Sequence, residues 1–149
     1  MYHDVRKHRG GSFRFSKHFL GPDNVPYFSG KEGDGGEEFT CAQMLDSLSE
    51  VEFWIRNVSQ HVNSFRLPVA SGNFYPDFVA KLKDGRIFVV EYKGALLAGS
   101  GVDETNEKRT IGEKWERACS GSGLFVVIEK ELNGRDMRKQ LIDKIAEKK

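Results

Sequence analysis

The sequence predicts an α/β protein in which a mixed sheet is covered by helices on both faces. Three observations point there. Apolar residues recur at helical spacing in three separate stretches, short β-branched runs lie between those stretches, and one pair of runs is joined by "KDG", a hairpin turn. The resulting order is helix and strand, then a hairpin, then helix, strand and helix.

The elements follow in chain order. Residues 1–31 mix aromatic and basic residues, and a Gly- and acid-rich loop, "SGKEGDGGEE", follows. Phe13, Phe15 and Phe19, with Arg14 and Lys17 between them, read as an arm or hairpin strand facing alternately in and out. The same mixture of rings and cations also suits single-stranded nucleic acid. A helix starts near Glu37, with Phe39, Cys41, Ala42, Leu45 and Leu48 on one face and acids in its first turn, where the helix dipole favours them. "VEFWIRNV" reads as a strand from Val51 to Val58, and "SFRLP" as a strand that Pro68 ends. After the hairpin and the Gly-rich "GALLAGSGV", "DETNEKRTIGEKWERACS" predicts a helix with Ile111, Trp115 and Ala118 inward. Trp115 is expected in the core. "GLFVVIEK" reads as a buried strand, and "GRDMRKQLIDKIAEKK" as an amphipathic terminal helix through Met137, Leu141 and Ile145.

Bulk properties narrow the classes. A chain of 149 residues suits one domain, and 38% hydrophobic with 30% charged residues is a soluble balance. No apolar run approaches the roughly 20 residues of a membrane span, and no signal-peptide core opens the chain. Cys41 and Cys119 have no metal or C-x-x-C spacing, so they are expected as free thiols in a reducing cytoplasm. A net charge of +1 argues against binding nucleic acid by bulk charge, though it allows a local basic patch. The four histidines, His3, His8, His18 and His61, have no ligand spacing. No G-x-x-x-x-G-K-[ST] phosphate loop is present.

The chemistry concentrates in "FYPDFVAKLKDGRIFVVEYKG", Phe74 to Gly94. A three-residue loop at 83–85, with Gly85 left-handed, pairs Leu82 with Arg86, Ala80 with Phe88, Phe78 with Val90 and Asp77 with Glu91. Directly opposed residues share a face, with Cβ atoms roughly 4.5–5.5 Å apart, and Lys93 falls on that face two residues beyond Glu91. A two-residue "DG" loop would instead turn the two acids to opposite faces. Opposed carboxylates repel unless a proton or a cation lies between them. Mg²⁺ takes oxygen ligands and commonly uses one or two carboxylates, and the backbone carbonyl of Tyr92 would add a third donor. Lys93 then faces the attacking water or the phosphate, as an orienting and charge-stabilising group.

These residues resemble the PD-(D/E)XK nuclease motif. More closely, "YPDF…VVEYKG" with "EEFTCAQMLD", "VEFWIRN", "SFRLP" and "EKRTIGEKWERA" is similar to the C-terminal endonuclease region of type III restriction nuclease–helicase subunits. The resemblance spans Glu37 to about Lys130. It implies a restriction-endonuclease-like fold, with a nuclease core at 37–130, an arm at 1–36 and a C-terminal helix at 131–149. It also implies cleavage of DNA phosphodiesters with Mg²⁺ (or Mn²⁺). It carries over Asp77 and Glu91 as metal ligands and Lys93 as the catalytic lysine, and suggests a further acid on the first helix, Glu38 or its neighbour Glu37. Lys108 and Arg109 are candidates for a DNA phosphate. The missing phosphate loop leaves translocation to a helicase domain or partner, and duplex cleavage calls for a homodimer or two visits. A non-catalytic nucleic-acid-binding or assembly module of the same fold, or a nuclease acting on RNA or branched DNA, are the competing readings.

Overall fold

The computed structural model describes residues 14–21, 36–57, 64–69, 72–93 and 102–147. Phe13, His3, His8, His61 and most of both Gly-rich loops lie outside them. The first helix, α1, spans Gly36–Ser47. Strands β1 (Val51–Arg56), β2 (Leu67–Val69), β3 (Gly72–Phe74), β4 (Phe78–Leu82) and β5 (Ile87–Tyr92) follow. Helix α2 spans Val102–Ala118, β6 Gly123–Ile128, β7 Glu131–Leu132, β8 Arg135–Asp136 and α3 Met137–Ile145. The central sheet has the order β1-β4-β5-β6. Its first three strands are antiparallel neighbours and β6 runs parallel to β5, so the sheet is mixed.

Strand alternation divides the core in two. Trp54, Phe78, Ala80, Phe88, Val90 and Leu124 point to one face, where they meet Phe39, Ala42 and Leu45 of α1 and Met137 and Leu141 of α3. Val89, Phe125 and Val127 point to the other, against Ile111 and Trp115 of α2 and the small β2–β3 ribbon. Trp115 is a core residue as expected, edge-on to Phe65. Cys41 is buried and Cys119 half-buried, and both are free thiols. Among the described residues no helix is long and apolar enough to cross a membrane.

The hairpin has the three-residue turn. Gly85 adopts φ +96° and donates to Leu82 C=O at 2.9 Å, while Leu82 N–H donates to Arg86 C=O at 2.9 Å. Phe78 pairs with Val90 and Ala80 with Phe88, the expected register.

Four expectations need correction. Pro68 does not end its strand: β2 runs Leu67–Val69 with Pro68 at its centre opposite Asn73, which a two-stranded ribbon tolerates because both of its strands are edges. The N-terminal segment is not an alternating strand: Phe15 is buried but Phe19 is 61% exposed, although both should face one side. Among the described residues the segment forms one β-bridge with β1, His18 to Trp54, and no longer ladder, because the Asp46 carboxylate captures the Ser16 and Lys17 backbone N–H groups. The expected strand from Val51 to Val58 ends at Arg56 within the described residues: Asn57 still donates its N–H to Asp77 C=O, but its side chain is taken by the backbone of Phe65 and Pro76, and Val58 lies outside the described residues. Finally, a β7–β8 hairpin precedes α3. Its turn is "NG", with Asn133 at φ 52° and Gly134 at φ 78°, the positive pair of a type I′ turn.

Gly112 sets how closely α2 approaches the sheet. A Cβ there would lie 2.3 Å from ring carbons of Phe125. Gly→Ala in an exposed helix interior gains roughly 1 kcal/mol from propensity. Here overpacking wins, and Gly112→Ala is expected to destabilise by about 1–3 kcal/mol, read as a lower urea midpoint with unchanged slope.

Candidate active site

The described acids of interest gather at one end of the sheet, where β1 and β5 finish and β4 begins. Asp77 precedes β4 directly opposite Glu91. Its backbone N–H donates to Glu91 Oε1 at 3.2 Å, and its own Oδ2 accepts the Tyr92 N–H at 2.8 Å. Asn57 holds this segment in place. Its side-chain amide donates to Pro76 C=O at 2.8 Å and to Phe65 C=O at 2.9 Å, while its Oδ1 accepts from Phe65 N–H at 3.0 Å.

Glu38 reaches the same end from the first turn of α1. It ion-pairs with Arg56 at 2.6 Å and lies near enough to Asp77 for their charges to interact. Glu37 instead accepts the hydroxyl of Tyr92. Of the two neighbouring acids on α1, Glu38 is therefore the one in the cluster. From α2, Lys108 contacts Glu91 Oε2 at 3.2 Å and sits over the Phe74 ring at 5.2 Å. The expected role of Lys108 on a phosphate thus starts from an ammonium already held by a carboxylate. Arg109, one residue on, points elsewhere and lines a groove with Glu113, Arg135 and Asp143. The structure does not bring Lys108 and Arg109 together.

Lys93 continues the β5 ladder, its N–H donating to Ile128 C=O at 2.8 Å. Alternation puts its side chain on the face of Glu91. It is half-buried, and among the described residues no carboxylate pairs with its ammonium. Tyr92 turns its N–H toward Asp77, and in an extended strand a residue's C=O leaves on the same side as its N–H. The Tyr92 carbonyl therefore faces the acids too.

The electrostatics reflect crowding. Burial, then the charge of Asp77, pushes Glu38 up to about 7. Burial raises Asp77, against the pull of Arg56 and the Tyr92 N–H. Burial and the neighbouring Asp77 raise Glu91 well above the usual carboxylate range, with Lys108 opposing them. Burial also raises the Cys41 thiol, and the same three acids add to it. Such a group favours a proton or a cation.

The oxygen donors available, two carboxylates and one carbonyl, are of the hard type that Mg²⁺ and Mn²⁺ accept. Among the described residues no three His, Cys, Asp or Glu side chains stand in ligating arrangement, so water or substrate would complete any ion's shell. A cleft of about 960 Å³ lies at the other end of the sheet, between Arg86, Arg117 and Ser122, and includes none of these acids.

Arg56 and Asn57 were not found by sequence reasoning. Only their place at the end of "VEFWIRN" hinted at them, since a strand that leaves the core with a cation and an amide is delivering both to an end of the sheet. The chain matches no protein-family model, no curated protein and no solved structure.

Proposed function

We propose that this chain is a metal-dependent DNA endonuclease with a restriction-endonuclease-like fold. One observation carries the reading: the hairpin register that sets Asp77 against Glu91, with Lys93 two residues further along the same face. The sheet order and a first helix that adds Glu38 to the cluster support it. A protein that only bound nucleic acid would gain nothing from raised, crowded carboxyls beside phosphate.

Asp77, Glu91 and the Tyr92 carbonyl would hold Mg²⁺ or Mn²⁺, which when bound polarises the phosphate and makes water a better nucleophile. Lys93 orients the attacking water and stabilises the charge that grows on the phosphoryl oxygens. Lys108 offsets the charge of Glu91, and Asn57 fixes the backbone on either side of Asp77. Water oxygen joins phosphorus as the bond to the 3′ oxygen breaks, and a proton reaches that oxygen through solvent. The products carry a 5′-phosphate and a 3′-hydroxyl. With so little net charge, targeting falls to a helicase or translocase partner, and a homodimer would place two sites on a duplex.

Plasmid and linear DNA incubated with the protein in Mg²⁺ or Mn²⁺ test the reading. Lys93→Ala is expected to lower the rate about a hundredfold with metal affinity unchanged, the scale of losing one charge-stabilising group. Wild-type and Lys93→Ala rates that agree would reject the assignment. RNA and branched DNA as alternative substrates locate the specificity.

A further inference from the structure

We propose that Arg56 fills the place of a second cation, so that the site takes a single divalent ion, at Asp77 and Glu91, and none at Glu38. This rests on the metal-site reading above. The cluster straddles the sheet end. Glu38 and Arg56 stand on the α1 side, Glu91 and Lys108 on the α2 side, and Asp77 lies between. The two cations differ in how firmly they are held.

Arg56 is fixed. Its guanidinium pairs with Glu38 at 2.6 Å, donates to Asn57 C=O at 3.0 Å and lies 5.8 Å from the centre of the Phe78 ring. Its backbone N–H donates to His18 Nε2 at 3.1 Å. A guanidinium stays charged at any working pH, and its planar fork matches a carboxylate. A dication bridging Glu38 and Asp77 would sit against this fixed charge, which already neutralises the Glu38 carboxylate.

Lys108 is held less firmly. Its ion pair with Glu91 is longer, at 3.2 Å against 2.6 Å; its ammonium lies over the Phe74 ring at 5.2 Å, at the end of a flexible four-carbon stem, and it is more exposed than Arg56. An ion arriving at Asp77 and Glu91 can displace it. Lys108 therefore holds the place of the exchangeable cation, and Arg56 is a permanent positioning residue. This revises the expected role of Glu38: it orients Arg56 beside Asp77 and ligates no ion.

Mn²⁺ titration of the full chain, followed by calorimetry and by the paramagnetic resonance signal of free Mn²⁺, tests this without any DNA. Wild type is expected to bind one ion per chain. Arg56→Gln is expected to gain a second, weaker ion, and Arg56→Lys to return to one. Glu38→Gln should keep one ion, with affinity within about threefold of wild type.

Two ions in wild type, or one in Arg56→Gln, would overturn the proposal and leave the nuclease reading intact. No ion in wild type would overturn the metal site, and this inference with it. If Arg56→Gln does not fold, Glu38→Gln decides: an affinity loss of tenfold or more would make Glu38 a ligand and sink the idea.

Discussion

Asp77→Asn is expected to abolish cleavage and at the same time make the metal-free protein more stable. On the proposed nuclease reading the loss of activity should reach at least about 10³-fold, because the substitution would remove an anionic metal ligand and the charge that sets the site's polarity. The gain in stability follows from linkage. Glu38 has a folded pKa of about 7, above the 4.5 of the unfolded chain, so the native state binds its proton more tightly. Below pH 4.5 both states are protonated and the group is neutral toward stability. As pH rises toward 7 the unfolded chain ionises first, and stability falls. For Glu38 alone the full loss corresponds to about 3 kcal/mol. Asp77 and Glu91 shift in the same direction, so they add to the fall with pH.

Asp77→Asn removes one of these charges and relieves its two neighbours, while the amide oxygen can still accept the Tyr92 N–H. A rise in melting temperature of roughly 3–8 °C is expected at pH 8, shrinking toward pH 4. Wild type should recover much of that difference when Mn²⁺ is added, and the variant should not. A variant that melts below wild type at pH 8 without metal would show that the crowded acids are not a strain on the fold. The trade of stability for a charged site is a common pattern in enzymes.

The parts of the site legible in the sequence are those set by local rules. Gly85 in "KDG" fixes the turn, the turn fixes the register, and the register brings Asp77 to Glu91. Each step uses neighbours within a few residues. Arg56, Asn57 and the Lys108–Glu91 contact need three elements to meet at one sheet end, and no periodicity reports that. Glu38 and Glu37 are likewise inseparable by pattern, and only the docking angle of α1 sends one to Asp77 and the other to the Tyr92 hydroxyl. The "NG" turn at 133–134 is a different kind of omission. Its signal is local and strong, but a helix-like run of charged and apolar residues follows immediately and draws the element boundary too far forward. The N-terminal segment misled for a third reason: its rings alternate, but a buried side chain 30 residues later decides where its backbone goes.

That side chain carries the largest expected effect on stability. Asp46 lies in the last turn of α1, where the helix dipole disfavours an anion. It is nevertheless only 7% exposed, so its partners must more than offset that cost. Oδ1 accepts the Lys17 N–H at 2.8 Å and Trp54 Nε1–H at 2.9 Å, and Oδ2 accepts the Ser16 N–H at 3.1 Å and its hydroxyl at 3.2 Å. Asp46→Ala leaves the indole N–H buried without an acceptor and frees the segment that covers the outer edge of β1. Hydrogen bonds to a charged acceptor are worth about 1.5–3 kcal/mol each, and since these act as one network the total should be well below their sum. A loss of about 3–4 kcal/mol is expected, seen as a fall in the urea midpoint. Asp46→Asn should lose less, because it keeps one acceptor oxygen. Trp54→Phe in the Asp46→Ala background should cost less than it does alone, since the partner is already gone. Additive losses would mean that the indole and the carboxylate do not stabilise each other. The consequence also reaches the site. His18 sits in the segment that Asp46 anchors and accepts the Arg56 backbone N–H, so releasing the segment loosens the strand end that aims the guanidinium at Glu38. Asp46→Ala should therefore weaken cleavage even at temperatures where the protein remains folded, and should do so without changing the ion count at Asp77 and Glu91.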